Sequence, residues 1–223
     1  MGSALYESGR RMILDANDAN STSFDINANN IKCGLIDLDQ YGVAVSGCTG
    51  NGVAPIVITT PSAHGYTTGD IVTISGVGGN TNANGVFSIT VLSSTTFSLQ
   101  DQNTLANITG NGAYTSGGHT VNLTAHVFLS DIPIGARVSA SGNLASKTTN
   151  SPRGGVFDAA DVTFSSVPAG SPCEAVVIFK DTGTASTSPL IAFIDTATGL
   201  PVTPNGADIQ IQWDNGRFRI FML

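Results

Sequence analysis

Charge is scarce in this sequence. Only 11% of the 223 residues are Asp, Glu, Lys or Arg, against about 25% in an average soluble domain. Lysine occurs three times and glutamate twice, and the net charge is −7. Phosphate backbones are held by clustered Lys and Arg, and nothing beyond Arg10-Arg11 and Arg217/Arg219 resembles a cluster. Nucleic-acid binding is not expected, and neither is a surface that faces packaged DNA.

Cysteine is equally sparse. Cys33, Cys48 and Cys173 show neither CxxC spacing nor a histidine at metal-ligand spacing, so no zinc site is expected. A Cys33–Cys48 disulfide is conceivable, but buried free thiols are the favoured reading. No run approaches the roughly 20 apolar residues that span a bilayer. The opening "MGSALYESGRRMILDAND" has no apolar core of signal-peptide length. Neither Sec export nor membrane insertion is expected, and a role outside the cell would need another exit such as lysis. The sequons Asn107-Ile-Thr109 and Asn122-Leu-Thr124 therefore carry no weight.

Hydrophobic residues make up 41% of the chain, enough for one large β domain or two small ones. Surface polarity must come from Ser, Thr, Asn, Gln and Gly, which suits β surfaces and exterior structural proteins. The first 16 residues read as a helix, stopped by "DANDANSTSFDINANN". "IKCGLIDL" and "GVAVSGC" read as strands. From Pro55, "PIVITT", "DIVTISGV", "VFSITVL" and "TFSL" are β-branched runs divided by turn residues, the spacing of a small antiparallel barrel or sandwich.

Past His119 a second strand series begins with "TVNLTAHVFL". "VFDAADVTFSSV", "EAVVIFKD" and "PLIAFID" continue it, and "EAVVIFKD" is apolar on both faces, as in a strand covered on both sides. The end, "DIQIQWDNGRFRIFML", predicts a hairpin with Asn215-Gly216 as a two-residue type I′ turn. That register pairs Asp214 with Arg217, Trp213 with Phe218, Ile211 with Ile220 and Ile209 with Met222.

Candidate chemistry is thin. His64, in "PSAHGYTTGD", has no carboxylate in the five residues before it and no nucleophile elbow nearby, so it reads as a turn residue. "GVGGNTNANG" and "GCTGNG" lack the following helix and the lysine of a phosphate loop. "DANDAN" (15–20) begins like a calcium loop but has Ala19 at the fifth position and Asn20 for the glycine. With Glu7 and Glu174 alone to join the turn aspartates, paired carboxylates for glycoside hydrolysis are unsupported. No catalytic residue, cofactor or metal is expected.

Two stretches of the sequence resemble known families. "PIVITTPSAHGYTTGDIVTISGVGGNTNANGVFSITVLSSTTFSL…GNGAYTSGG" resembles a small β module recurrent in tailed-bacteriophage virion proteins. That module is often likened to the first catalytic-cysteine half-domain of ubiquitin-activating enzymes. No cysteine falls between 54 and 118, so the likeness implies fold and no thioester chemistry. The flanks, "ALYESGRRMILDAND…IKCGLIDL" with "TAHVFLSDIPIGARV" and "EAVVIFKDTG…LIAFIDTATG", look like another recurrent phage structural domain.

The expectation is therefore an all-β protein with one short N-terminal helix. A discontinuous sandwich-like domain, 1–53 plus 119–223, is interrupted by a small antiparallel barrel at 54–118. The resemblance implies a non-enzymatic virion protein, foremost a capsid decoration (cement) protein on the outer head surface. Its partners would be the major capsid protein and itself, as a homotrimer, with assembly in the bacterial host cytoplasm. The rival is a tail, fibre or baseplate module binding host-surface glycans, with Tyr66 or Tyr114 stacking on sugars. An enzyme acting on capsular polysaccharide ranks third.

Overall fold

The computed structural model describes residues 3–15, 25–27, 30–149, 155–216 and 219–222. The protein is all-β with short helices, and its contacts divide it into two units, 1–40 with 126–223 and 41–125.

The first unit begins with strand β1 (Ser3–Leu5), helix α1 (Glu7–Asp15), strand β2 (Ile31–Ile36) and the one-turn helix α2 (Leu38–Tyr41). The expected helix over 1–16 is thus shorter at its start. Ala4 and Leu5 are drawn into a sheet opposite Phe193 and Ala192, where strand pairing outweighs their helix propensity. Tyr6, fully buried, then sets its ring edge-on to Phe193 at 6.3 Å. Gly9 lets α1 lie directly on the sheet, since a Cβ there would sit 2.3 Å from the Ile191 carbonyl oxygen.

Residues 41–125 form one antiparallel sheet of seven strands. In chain order they are β3 (Val43–Ala44), β4 (Gly47–Cys48), β5 (Val57–Thr59), β6 (Ile71–Ser75), β7 (Gly85–Ser93), β8 (Thr96–Asp101) and β9 (His119–Asn122). Their order in the sheet is β3-β9-β6-β7-β8-β5-β4. The two end strands are separated in sequence by Val45 and Ser46 alone. The Val45 N–H donates to Gly118 O beside β9, and the Ser46 N–H donates to Thr59 O of β5. One bent segment therefore belongs to both ends of the sheet, which must curl to meet it.

Alternate residues fill the inside: Ile58, Val72, Ile74, Phe87, Ile89, Phe97 and Leu99. The sequence put the joins of this module at 53/54 and 118/119. Residues 41–53 and 119–125 group with it instead, because β3, β4 and β9 hydrogen-bond into its sheet. β9 is shorter than the alternation of "TVNLTAHVFL" suggests. The Asn122 side chain accepts the N–H groups of Thr124 and Ala125 and turns the backbone out of the strand.

The polypeptide then returns to the first unit with β10 (Arg137–Ala140), β11 (Val156–Phe157), β12 (Val162–Phe164), β13 (Ala175–Lys180), β14 (Leu190–Ile194), β15 (Ile209–Ile211) and β16 (Phe221–Met222). Five strands make an antiparallel sheet in the order β1-β14-β13-β2-β10. β13 runs inside it and is buried from Ala175 to Phe179, the two-sided burial that its unbroken apolar run implies. Val176, Ile178, Cys33 and Leu35 face a core completed by Phe157, Phe164 and Phe221 from two short ribbons, β11-β16 and β12-β15, and by Trp213 just past β15.

Those ribbons overturn the expected terminal hairpin. Ile211 lies opposite Val162 and Ile209 opposite Phe164, while Met222 lies opposite Val156. Neither Asn215 nor Gly216 takes the positive φ that a type I′ turn requires at both positions. The pairings involving Arg217 and Phe218 lie outside the described residues. The apolar pattern did identify the inward face, since Ile211, Trp213 and Ile220 are buried. Each strand finds a more distant partner that lets it cover the five-stranded sheet, and Met222 is left 43% exposed.

Candidate functional site

His64 is where a reactive side chain would be sought first. It is buried, with its ring 5.2 Å from Phe97 and 4.9 Å from Tyr66. Nδ1 accepts the Tyr66 N–H at 3.0 Å, so the proton of a neutral ring lies on Nε2, 3.1 Å from the Ser93 carbonyl oxygen. Its own backbone N–H donates to Ser94 O. Nε2 and the backbone N–H fix the 60–70 segment to the β7-β8 turn, while Nδ1 braces that segment internally, the structural role that the sequence suggested.

Tyr66 and Tyr114, the sugar-stacking candidates, are tied down as well. The Tyr66 hydroxyl donates to Thr120 O at 3.0 Å, and burial pushes its pKa up to about 12. The Tyr114 hydroxyl lies 3.0 Å from Val45 O and 3.2 Å from Gly117 O. Both rings pack against the core of the seven-stranded sheet.

The glycine loops meet one another. A Cβ on Gly110 would lie 1.6 Å from Gly50 O, and one on Gly79 would lie 1.9 Å from Ala113 O. Three loops therefore touch backbone to backbone, and asparagines lock them. Asn80, fully buried, donates to Thr49 O and accepts the Asn111 N–H. Asn82 donates to Thr109 O, and Asn111 donates to Thr81 Oγ1. Of the two sequons, Asn122 is buried with its amide on Asp70.

Cys48 lies just outside the cysteine-free stretch 54–118 but inside the seven-stranded sheet. Burial raises its pKa, and the Asn80 amide at 3.3 Å opposes this in part. A thiol held protonated is a poor nucleophile. Burial also raises Cys33, and it pushes Cys173 up to about 11 with help from Glu174 and Asp37. All three cysteines are free and buried, in line with the favoured sequence reading.

The fold does assemble one carboxylate group that spacing could not reveal. Asp37, Asp39 and Glu174 meet where β2 runs into α2 alongside the start of β13. Glu174 accepts the Leu38 N–H at 2.9 Å. Burial raises its pKa, Leu38 opposes this, and Asp37 and Asp39 raise it further. Asp37 is 2% exposed, and its Oδ1 has no partner among the described residues. Among those residues no group of His, Cys, Asp or Glu has metal-holding geometry. The "DANDAN" segment lies outside them from residue 16 onward.

An open cleft of about 300 Å³ in the first unit is lined by Thr198, Leu200, Val202, Ile209 and Gln210. Its carboxylate, Asp208, accepts the Ser166 N–H. No described helix is long and apolar enough to cross a membrane.

Comparison with curated proteins finds no match. A family model described as the ubiquitin-activating enzyme E1 FCCH domain matches residues 53–120, under a third of the sequence. The inserted module, from β5 to the middle of β9, is thus similar to that domain.

Proposed function

We propose that the protein is a non-enzymatic structural component of a tailed-phage virion, and specifically a decoration protein on the outer head surface. The observation that carries this reading is the destination of the polar side chains. His64, Tyr66, Tyr114, Asn80, Asn82 and Asn111 are all spent on joining loops of one β module. Such a module is a stiff, weakly charged building piece. Apolar groups stand exposed instead: Ile134 is 80% exposed and Leu92, near the end of β7, is 56% exposed.

The physical task would be linkage. A protein that binds only the assembled lattice stabilises it by RT ln(1 + [L]/Kd), and repetition over many sites multiplies the effect. Major capsid protein and further copies of this protein, as a trimer, would be the partners. Cryo-electron microscopy of the particle tests this. Density for the protein on the outer head supports the proposal, as do heads that lose heat resistance when it is removed. Density on tail or baseplate, with saturable glycan binding by the full-length protein, would replace it with the adhesion reading.

A further inference from the structure

The sequence contains five Asn-Gly steps, at Asn51, Asn84, Asn111, Asn205 and Asn215. Such a step can rearrange. The glycine nitrogen attacks the asparagine Cγ, forming a new N–Cγ bond, and the bond from Cγ to Nδ2 breaks with loss of ammonia. Water then opens the cyclic imide to aspartate or isoaspartate. The reaction needs the glycine N–H to give up its proton and the asparagine amide to be free to approach.

Four of the steps are held against it. Asn84 is clamped at both ends of its amide by Val77, and Asn111 by Asn82 and Thr81. Asn205 accepts the Ala207 N–H, while the Gly206 N–H donates to Val167 O. The Gly52 N–H donates to Gly110 O.

At the fifth step the Gly216 N–H donates to a carboxylate oxygen, Asp214 Oδ1, at 2.8 Å. Asn215 is exposed, and no hydrogen bond holds its amide among the described residues. A Cβ on residue 216 would lie 2.9 Å from Asp214 Oδ1 and 3.1 Å from Oδ2, so only glycine admits the carboxylate this closely. We propose that Asn215-Gly216 is a self-modification site, with water as its co-substrate and Asp214 as the proton acceptor for the attacking Gly216 nitrogen. The proton passes to Asp214 as the N–Cγ bond forms, and ammonia carries it away. Isoaspartate there lengthens the backbone and adds a negative charge shortly before β16.

The test uses the purified full-length protein aged at neutral pH, with isoaspartate mapped by peptide mass spectrometry after labelling with an isoaspartyl methyltransferase. Asn215 should convert well ahead of the other four. Asp214→Asn keeps an oxygen acceptor but removes the base. It should slow conversion at Asn215 by about tenfold, less than a well-matched base contributes because a carboxylate is weakly basic toward an amide. It should also restore the full dependence of rate on hydroxide that a base in place flattens. Conversion at Asn215 no faster than at Asn51 would overturn the proposal. So would an Asp214→Asn variant with an unchanged rate and pH profile.

Discussion

His64 accepts the Tyr66 N–H on Nδ1 at 3.0 Å, and this single bond fixes which nitrogen of the ring carries the proton. Nε2–H then donates to Ser93 O. Nitrogen NMR of the imidazole should report the Nε2–H tautomer. His64→Ala removes both bonds and empties a space against Phe97. It should destabilise the seven-stranded unit by about 2–4 kcal/mol in denaturant unfolding.

Thr120 carries the opposite kind of feature. It is fully buried, and its Oγ1 has no partner among the described residues. Its backbone oxygen is already engaged by Tyr66, and a substitution leaves that bond intact. Thr120→Val replaces the orphaned hydroxyl with a methyl group of similar size. A gain of about 1 kcal/mol in unfolding free energy is expected, and a loss would show that the hydroxyl is satisfied.

Two groups in the first unit give stability opposite slopes with pH. Glu174 is raised above its ordinary value of 4.5, so the folded protein binds that proton more tightly than the unfolded one. Its contribution is full below that value and is lost as pH climbs through the raised folded value. Glu174→Gln should remove this slope. At neutral pH it should be as stable as the parent or more so, by less than about 1 kcal/mol for a partly exposed group.

Burial lowers His126 from 6.5, with Asp131 opposing. Its contribution is present above 6.5 and is lost as pH falls through the depressed folded value. His126→Gln should flatten this second slope, and thermal midpoints across the acid-to-neutral range measure both effects.

The pairing of the last strands can be read by cross-linking. Thr163 and Gln210 are exposed partners across β12 and β15, and antiparallel partners fall within disulfide reach. Thr163→Cys with Gln210→Cys should oxidise to a disulfide. Ile209→Cys with Met222→Cys, the partners of the expected hairpin, should not.

Much of the fold was legible in the residues. Period-two alternation marked β5 to β8, and the unbroken apolar run marked β13, because burial on one face or on both writes itself into side-chain order. The burial of Cys33, Cys48 and Cys173 as free thiols was the favoured reading too, since their spacing offers no metal or redox pairing. The meeting of Asp37 and Asp39 with Glu174 was not, because strand pairing joins residues more than 130 positions apart.

The sequence by itself determined which faces of these strands are apolar and where turns interrupt them, since both are properties of neighbouring residues. The tertiary structure alone decided which strand lies beside which. Asn215-Gly216 favours a hairpin locally, yet Ile209–Ile211 pairs with Val162–Phe164, and Val45-Ser46 passes from one end of a sheet to the other. A local turn preference is worth a fraction of a kcal/mol to about one, whereas covering a whole sheet with Phe157, Phe164, Trp213 and Phe221 is worth several times that. Burial of those four rings chose the partners.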